Sequence, residues 1–404
     1  MVVVVVMVTV VAVAAGACSG GSGDGGTGPR RATGKPVVVG LINQESGSVG
    51  SFPELRRDAE AAVRYVNEEL GGLDNRPIQL EVCATNGTVA SSEACATSLL
   101  AKGPVAVLGG IDVAAGSAVP VLEAAKVPYI GVTPSIGDEL ISPAAFMLAG
   151  GVVADLLAET EYVTATLKAT KVGVVHLDLP GLTDAAVLAA RAILQKRGVT
   201  DLKIIAQKGE AADFTAAVRM ATVSNPEVLM AIFPADGCVK VLKAVRTLRV
   251  GARLFLPSSC ATQAVFDLAG AGTTFATGFV PPTETGDPDV ATYLAKLRQY
   301  GPPDATPSAL SQAGFALVMN LHRLLSAQDG GKLTAATVTK VLKAARDQPG
   351  FMAHEYTCNG QTLTILPAIC NAHVRLLGYR AGGGFDDVSG GWMTGAPLVK
   401  LLTG

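Results

Sequence analysis

From residue 36 onward, short apolar runs alternate with stretches whose apolar residues recur at helical spacing. The run 37–42 predicts a strand, and the apolar positions of 54–70 indicate a helix that ends at Gly71 and Gly72. The same pattern predicts strands at 78–82, 105–108 and 129–132 and helices at 91–101 and 114–125. Strands that alternate with helices are typical of an α/β fold with a doubly wound parallel sheet.

The alternation starts again after residue 150 and predicts a second sheet. Its strands are expected at 172–177, 203–206, 228–233, 253–256 and 275–280, its helices at 152–166, 184–197, 213–221, 239–248, 263–268, 307–326 and 334–346, and a mixed hairpin and strand region at 358–400. We therefore expect two doubly wound lobes joined by a hinge. The first lobe would contain 36–150 and 281–346, and the second 151–280 and 347–404. Ligands of open parallel sheets bind at the carboxyl ends of the strands, so the cleft between the lobes is the expected site.

The first 35 residues follow a different pattern. Residues 1–17 are almost wholly apolar but shorter than the ~20 residues that cross a bilayer, which fits a secretory signal peptide. Cys18 follows Ala-Gly-Ala, which is typical of a site where bacteria lipidate the cysteine and cleave before it, although Ala15 stands where leucine is usual and no basic residue precedes the run. An ordinary cleavable signal with an incidental cysteine is the alternative. The Gly- and Ser-rich stretch after Cys18, to residue 35, predicts a flexible tether.

Composition narrows the functional classes. The 32 Lys and Arg nearly balance the 34 Asp and Glu, so the chain has no basic field for nucleic acid. Hydrophobic residues make up 49% and aromatic residues 5%, so Ala, Val and Leu form the core, which suits sheets buried on both faces. The four histidines share no metal-ligand spacing, and neither a GxSxG elbow nor a P-loop occurs in the sequence. We therefore expect no metal, no cofactor and no enzymatic activity.

Six cysteines remain once Cys18 is set aside, and an even number in an exported chain favours disulfides. They are Cys83, Cys95, Cys238, Cys260, Cys358 and Cys370. Six cysteines allow many connectivities, but their neighbourhoods favour pairing in sequence order. A zinc site is the alternative, although no CxxC or Cys/His spacing supports it.

Four stretches, taken in order, carry a family resemblance that no single motif carries. They begin VGLINQESGSVGSF at residue 39, VAVLGGIDVAAGSA at 105, GEAADFTAAVRM at 209 and VGARLFLPSSCATQ at 250. The ordered set resembles the type I periplasmic binding proteins, specifically the branched-chain amino-acid substrate-binding group of ABC importers. The resemblance covers about residues 36 to 400.

The resemblance implies a function. Such a chain would be an extracytoplasmic lipoprotein, a monomer, that closes its two lobes on a small amino-acid-like solute and delivers it to a membrane permease and its ATPase. A receptor or sensor domain of the same fold, uncoupled from transport, is the alternative, and permease and ATPase genes beside this one would discriminate the two. An enzyme on this scaffold is a third hypothesis, and it would need paired acids or a nucleophile with its base in the cleft.

The resemblance also implies the ligand-binding residues. They are Gln44, Ser48, Phe52, Asp112, Val113, Thr133 and Ser135 in the first lobe and Asp178, Phe233, Asp236, Ser258 and Ser259 in the second. The loop after Asp178 lacks the family's aromatic residue, and Ser258 and Ser259 stand where an acid often binds the ligand ammonium, which argues against leucine, isoleucine or valine. Asp112 stands where hydroxyls are usual. It would suit a cationic or donor-rich ligand, or it caps the helix beginning near residue 114.

Overall fold

The strands of the computed structural model form two separate sheets. The model describes residues 29–47, 50–132, 134, 137–178, 184–326, 332–380 and 383–403. Its strands are β1 (Val37–Gln44), β2 (Ile78–Thr85), β3 (Val107–Gly109), β4 (Tyr129–Gly131), β5 (Ala145–Met147), β6 (Lys171–Leu177), β7 (Asp201–Gln207), β8 (Val228–Ile232), β9 (Arg253–Leu256), β10 (Thr274–Thr277), β11 (His373–Tyr379), β12 (Phe385–Asp387) and β13 (Met393–Thr394). The first sheet has the order β2-β1-β3-β4-β5 and is parallel throughout.

The second sheet has the order β12-β11-β10-β9-β8-β6-β7, with β13 beside β11. Its strands from β10 to β7 are parallel, whereas β11, β12 and β13 pair in antiparallel fashion. This arrangement confirms the prediction of two mostly parallel α/β lobes.

Helices cover the faces of both sheets. They are α1 (Pro53–Glu69), α2 (Val89–Leu100), α3 (Ala115–Ala124), α4 (Asp138–Ile141), α5 (Gly151–Glu161), α6 (Asp184–Lys196), α7 (Thr215–Ala221), α8 (Ala235–Leu248), α9 (Gln263–Phe266), α10 (Pro288–Tyr300), α11 (Gln312–Ser326), α12 (Ala335–Ala344) and α13 (Lys400–Thr403). Helix α1 packs against α10 and α11, so this late part of the chain returns to the first lobe. The approach is close at Gly314, where an added Cβ would lie 2.0 Å from the carbonyl oxygen of Leu55.

Helix α10 and strand β5 were not among the sequence-based predictions. The α10 start nevertheless carries a recognisable signal, because Asp287 caps the backbone N–H groups of Asp289 and Val290 and Pro288 occupies the first turn. Strand β5 has only three residues, all buried, and a run that short gives no periodicity to read.

All three cysteine pairs form disulfides in sequence order, which confirms that prediction. The pairs are Cys83–Cys95, Cys238–Cys260 and Cys358–Cys370. The third pair closes a loop of turns rather than a hairpin.

The loop closed by Cys358 and Cys370 lies along the edge of the first sheet. Met147 donates its N–H to the carbonyl oxygen of Ala368 at 2.8 Å, and Cys370 donates its N–H to the Met147 carbonyl oxygen at 2.8 Å. The sequence-based division assigns this loop to the second lobe, whereas these contacts join it to the first.

Within the described residues the chain passes between the lobes before α5, after β10 and before β11. These crossings are adjacent. A Cβ on Gly150 would lie 3.1 Å from the Asn371 carbonyl oxygen, and one on Gly278 would lie 3.6 Å from the Cβ of Ala149. Side-by-side crossings of this kind are where a hinge can absorb rotation of one lobe against the other.

Candidate functional site

The predicted ligand residues that the structure describes lie in or beside loops that follow the carboxyl ends of β1, β3, β6, β8 and β9. Ser48, Thr133 and Ser135, like the predicted lipidation site Cys18, lie outside the described residues. The loop after β4 approaches the start of α5, next to the first crossing between the lobes. A Cβ on Gly151 would lie 3.0 Å from both the Cδ and the carbonyl oxygen of Pro134, which belongs to the loop after β4.

Two buried amides at the end of β1 hold the first-lobe loops in place. The Nδ2 of Asn43 donates to the Phe52 carbonyl oxygen at 2.8 Å, and the Nε2 of Gln44 donates to the Gly50 carbonyl oxygen at 2.8 Å. The Oε1 of Gln44 also accepts from the N–H of Val113 at 3.2 Å. Gln44 therefore fixes the backbone of two candidate loops at once, and its side-chain amide is engaged inside the lobe.

Asp112 is buried at 1% exposure, with both carboxylate oxygens occupied. One oxygen accepts from the Ser92 hydroxyl at 2.5 Å, and the other accepts from the Ala114 N–H at 3.0 Å, immediately before α3. Ala114 is itself the N-cap residue of α3, so Asp112 bonds the residue before the helix and does not cap its first turn. The contact with Ser92 ties the loop after β3 to α2.

In the second lobe, the carbonyl oxygen of Phe233, in the loop after β8, is contacted by side chains from α8 and from the loop after β9. The Ser259 hydroxyl donates to it at 3.1 Å, and the sulfur atoms of Cys238 and Cys260 each lie 3.4 Å away. The loop after β8 and the loop after β9 are therefore joined by a disulfide and by a hydrogen bond. Asp236 is exposed in the first turn of α8, where the helix dipole favours a carboxylate.

Asp178 is also exposed, at the end of β6. Its backbone N–H donates to the Gln207 carbonyl oxygen at 2.9 Å, which continues the pairing of β6 with β7. Its side chain therefore projects from an ordered backbone at the carboxyl edge of the second sheet, where the sequence predicts ligand contacts.

The structure places Asp155, which the sequence did not single out, against one of the candidate loops. The Ser258 hydroxyl donates to the Oδ2 of Asp155 at 3.4 Å, and Asp155, on α5, is 3% exposed. Burial raises the pKa of Asp155 to about 7, although the Ser258 hydrogen bonds oppose the rise. Glu159 lies one turn further along α5, and burial, reinforced by the charge of Asp155, raises its pKa well above the ordinary value. The signal in the sequence was two acids four residues apart in the otherwise apolar stretch 151–159.

Two histidines meet a tryptophan beside the third crossing between the lobes. The rings of His354 and His373 stack with centroids 3.8 Å apart, and Trp392 contacts His354 edge-on at 5.8 Å. Burial, followed by the charge of His354, lowers the pKa of His373 to about 4. Within the described residues, no group of three or more His, Cys, Asp or Glu is arranged to hold a metal ion.

No helix in the described part of the chain combines the length and apolar character needed to cross a membrane. The family model for periplasmic binding proteins matches residues 36–364. No curated protein matches the chain in sequence.

Solved structures share the fold. An extracellular ligand-binding receptor from Verminephrobacter eiseniae is 17% identical with a TM-score of 0.73, and the match covers 87% of this chain and 99% of the other. The branched-chain amino-acid transporter substrate-binding protein LivJ from Streptococcus pneumoniae, in complex with isoleucine, is 17% identical with a TM-score of 0.69, covering 89% and 99%. A fatty acid ABC transporter substrate-binding protein from Thermomonospora curvata is 13% identical with a TM-score of 0.70, covering 92% and 96%.

Proposed function

The chain belongs to the periplasmic binding protein family, and we propose that it is the extracytoplasmic substrate-binding component of an ABC importer. In this role it captures a small amino-acid-like solute between its lobes and delivers it to a membrane permease. The observation that carries the proposal is the family match across 36–364, which spans both lobes and every candidate loop. Members of this family bind substrates, and the proposal assigns the chain no catalytic step.

Capture follows from the layout of the two lobes. A solute that contacts both lobes stabilises the closed arrangement and shifts the population toward it. The Asn43 and Gln44 amides on one side and the Cys238–Cys260 disulfide on the other hold the loops before the solute arrives. Loops that are already ordered lose less conformational entropy on binding, which favours affinity.

The proposed location is the outer face of the cell membrane. Three disulfides fit an oxidising compartment outside the cytoplasm. Lipidation at Cys18 would attach the protein to the bilayer. The predicted tether is shorter than the sequence indicated, because Arg30, Ala32 and Gly34 donate their backbone N–H groups to the first lobe. A flexible tether of ~11 residues would hold the lobes on the order of 20 Å away. Mass spectrometry of the protein from its native membrane tests this part, because an unlipidated Cys18 would contradict the anchor.

The ligand class is proposed from the family and from the cleft loops. The related structures include both an isoleucine complex and a fatty acid transporter substrate-binding protein, so the fold accommodates different solutes. A receptor uncoupled from transport is the second candidate, since one related structure is described as an extracellular ligand-binding receptor. Ligand-dependent binding to the permease would support transport, and its absence would favour the receptor.

A thermal-shift screen of the purified protein tests the binding function. The panel contains amino acids, amides, polyamines and small carboxylates. A ligand present at about 100 times its dissociation constant adds about 2.7 kcal/mol to the free energy of unfolding, which raises the melting temperature measurably. Small-angle scattering with the same compound should show a smaller radius of gyration as the lobes close. A panel without any stabilising compound would count against a small-solute function of this class.

A further inference from the structure

Helix α5 carries two buried carboxyl groups that lack a cationic partner. Asp155 and Glu159 are 3% and 2% exposed. Among the described residues, neither forms an ion pair with Lys, Arg or His, and the Oε1 of Glu159 has no hydrogen-bond partner. An ionised carboxylate buried without a partner is unfavourable, so such groups in a native fold call for an explanation.

The two acids do not occupy a solvated face of the helix. Every residue of α5 from 154 to 160 is buried, so neither acid lies on a face of the helix that is open to solvent. A purely structural role would favour an apolar residue, because replacing buried charges by apolar side chains is often neutral or stabilising.

Asp155 lies where loops from both lobes come together. Helix α5 begins at Gly151 beside Pro134 of the first lobe, and Asp155 is one helical turn, about 6 Å, further along the axis. There its Oδ2 accepts the hydroxyl of Ser258, in the loop after β9 of the second lobe. That hydrogen bond is long, at 3.4 Å, and Ser258 itself is only half-buried. The backbone N–H of Ser258 also bonds this carboxylate, so both contacts that Asp155 makes with the loop after β9 come from neutral donors, and a protonated amine would add the missing charge.

We propose that Asp155 is a ligand-binding residue whose carboxylate receives the protonated amine of a cationic or zwitterionic solute, with the Ser258 hydroxyl as a second contact. This proposal rests on the proposed solute-binding function and narrows its ligand class. Burial and the charge of Asp155 raise the pKa of Glu159 well above its usual value, whereas Asp155 is the acid whose carboxylate meets the loop after β9. The amine supplies the partner that the buried carboxylate lacks.

Isothermal titration of the purified wild-type protein and the Asp155→Asn variant tests the assignment. The probes are amines, each paired with an analogue that lacks the amine: leucine with isocaproate, γ-aminobutyrate with butyrate, and putrescine with butanediol. We expect wild-type protein to bind at least one amine and not its partner. The variant should lose about 10- to 100-fold in dissociation constant for that amine, which is the size of one charge-assisted hydrogen bond.

Asp58→Asn is the matched control. Asp58 is a buried carboxyl of the first lobe, bonded to Tyr293 and distant in the fold from the β9 loop, so this variant should bind the amine within about twofold of wild type. Ligand-free thermal unfolding establishes that each variant is folded. If Asp155→Asn does not fold, Asp155→Ser removes the same charge with a smaller polar side chain and is measured in its place.

The outcomes separate this proposal from the solute-binding function. An amine bound equally well by wild type and Asp155→Asn overturns the role of Asp155 but supports solute binding. Tight binding of isocaproate, butyrate or butanediol by both wild type and Asp155→Asn also overturns the role of Asp155 and supports solute binding. Failure of the wild-type protein to bind any probe, amine or analogue, counts against both proposals.

Discussion

Ser259 donates its hydroxyl to the carbonyl oxygen of Phe233 at 3.1 Å, and this bond lies against the disulfide between Cys238 and Cys260. Both sulfur atoms approach the same carbonyl oxygen, and both cysteines are completely buried. The disulfide therefore lies at the edge of the second lobe that carries the candidate ligand loops, and it sets the distance between the loops after β8 and β9.

Replacing Cys238 and Cys260 together by alanine should weaken both stability and ligand affinity. The disulfide closes a 22-residue separation, and its loss should lower the free energy of unfolding by about 3 kcal/mol through the entropy of the unfolded chain. Affinity should fall as well, because two ligand loops become free to separate. Urea unfolding and isothermal titration measure the two effects.

The matched control is the Cys83–Cys95 pair, which closes a separation of 12 residues between β2 and α2. Its double alanine variant should lose a comparable free energy of unfolding but retain ligand affinity. Equal affinity losses in the two double variants would show that the Cys238–Cys260 effect is only a general loss of stability.

The sequence predicted most strands and helices because their apolar periods are long and are bounded by Gly, Pro or capping residues. It did not predict the pairing of Asp155 with Ser258. These residues are 103 positions apart, and a helical period shows which residues share a face without showing which loop that face meets. Asp112 shows a second limit of the sequence. Its position after β3 indicated a cleft residue, yet the nearby Ser92 on α2 engages its carboxylate within the lobe.

Asn43→Ala should destabilise the first lobe. Asn43 is fully buried, and its amide donates to the Phe52 carbonyl oxygen while accepting from the Ile111 N–H at 3.3 Å. Removal of the amide leaves both backbone groups without that partner, which costs about 1–3 kcal/mol for a buried group. Urea unfolding measures the change. Thr33→Ala is the control, because its hydroxyl bonds are at the surface, and a similar loss in both variants would contradict the role of Asn43.

The buried carboxyl of Asp58 should make stability depend on pH. Burial raises its pKa to about 6, although hydrogen bonds from Tyr293 and Ser311 oppose the rise. The folded state therefore keeps a proton that the unfolded state releases near pH 4, so this contribution is complete below about pH 4 and is lost as pH rises to about 6. The loss amounts to about 3 kcal/mol at most. Asp58→Asn cannot titrate. Its free energy of unfolding, measured by urea unfolding, should therefore rise relative to that of wild type between about pH 4 and pH 6. Curves that stay parallel for the two proteins would refute the titration of Asp58.

The stacked pair of His373 and His354 should act in the opposite direction at low pH. Burial and the neighbouring His354 lower the pKa of His373 to about 4, so the unfolded state takes up a proton near its ordinary pKa of about 6.5 while the folded state resists it. Stability from His373 is therefore present above about pH 6.5 and is lost as pH falls toward 4. The groups that the structure places against the ring are the His354 and Asn371 side chains, with Trp392 against His354. His373→Gln removes the titration and keeps a polar side chain, so its melting temperature should fall less than that of wild type between pH 7 and pH 4.5.

The histidine pair lies beside a crossing between the lobes, so ligand affinity measured over the same pH range separates an effect on lobe closure from an effect on folding. If affinity falls with pH in wild type but not in His373→Gln, the titration of His373 acts on lobe closure. If affinity is unchanged in both proteins, the titration acts on folding alone.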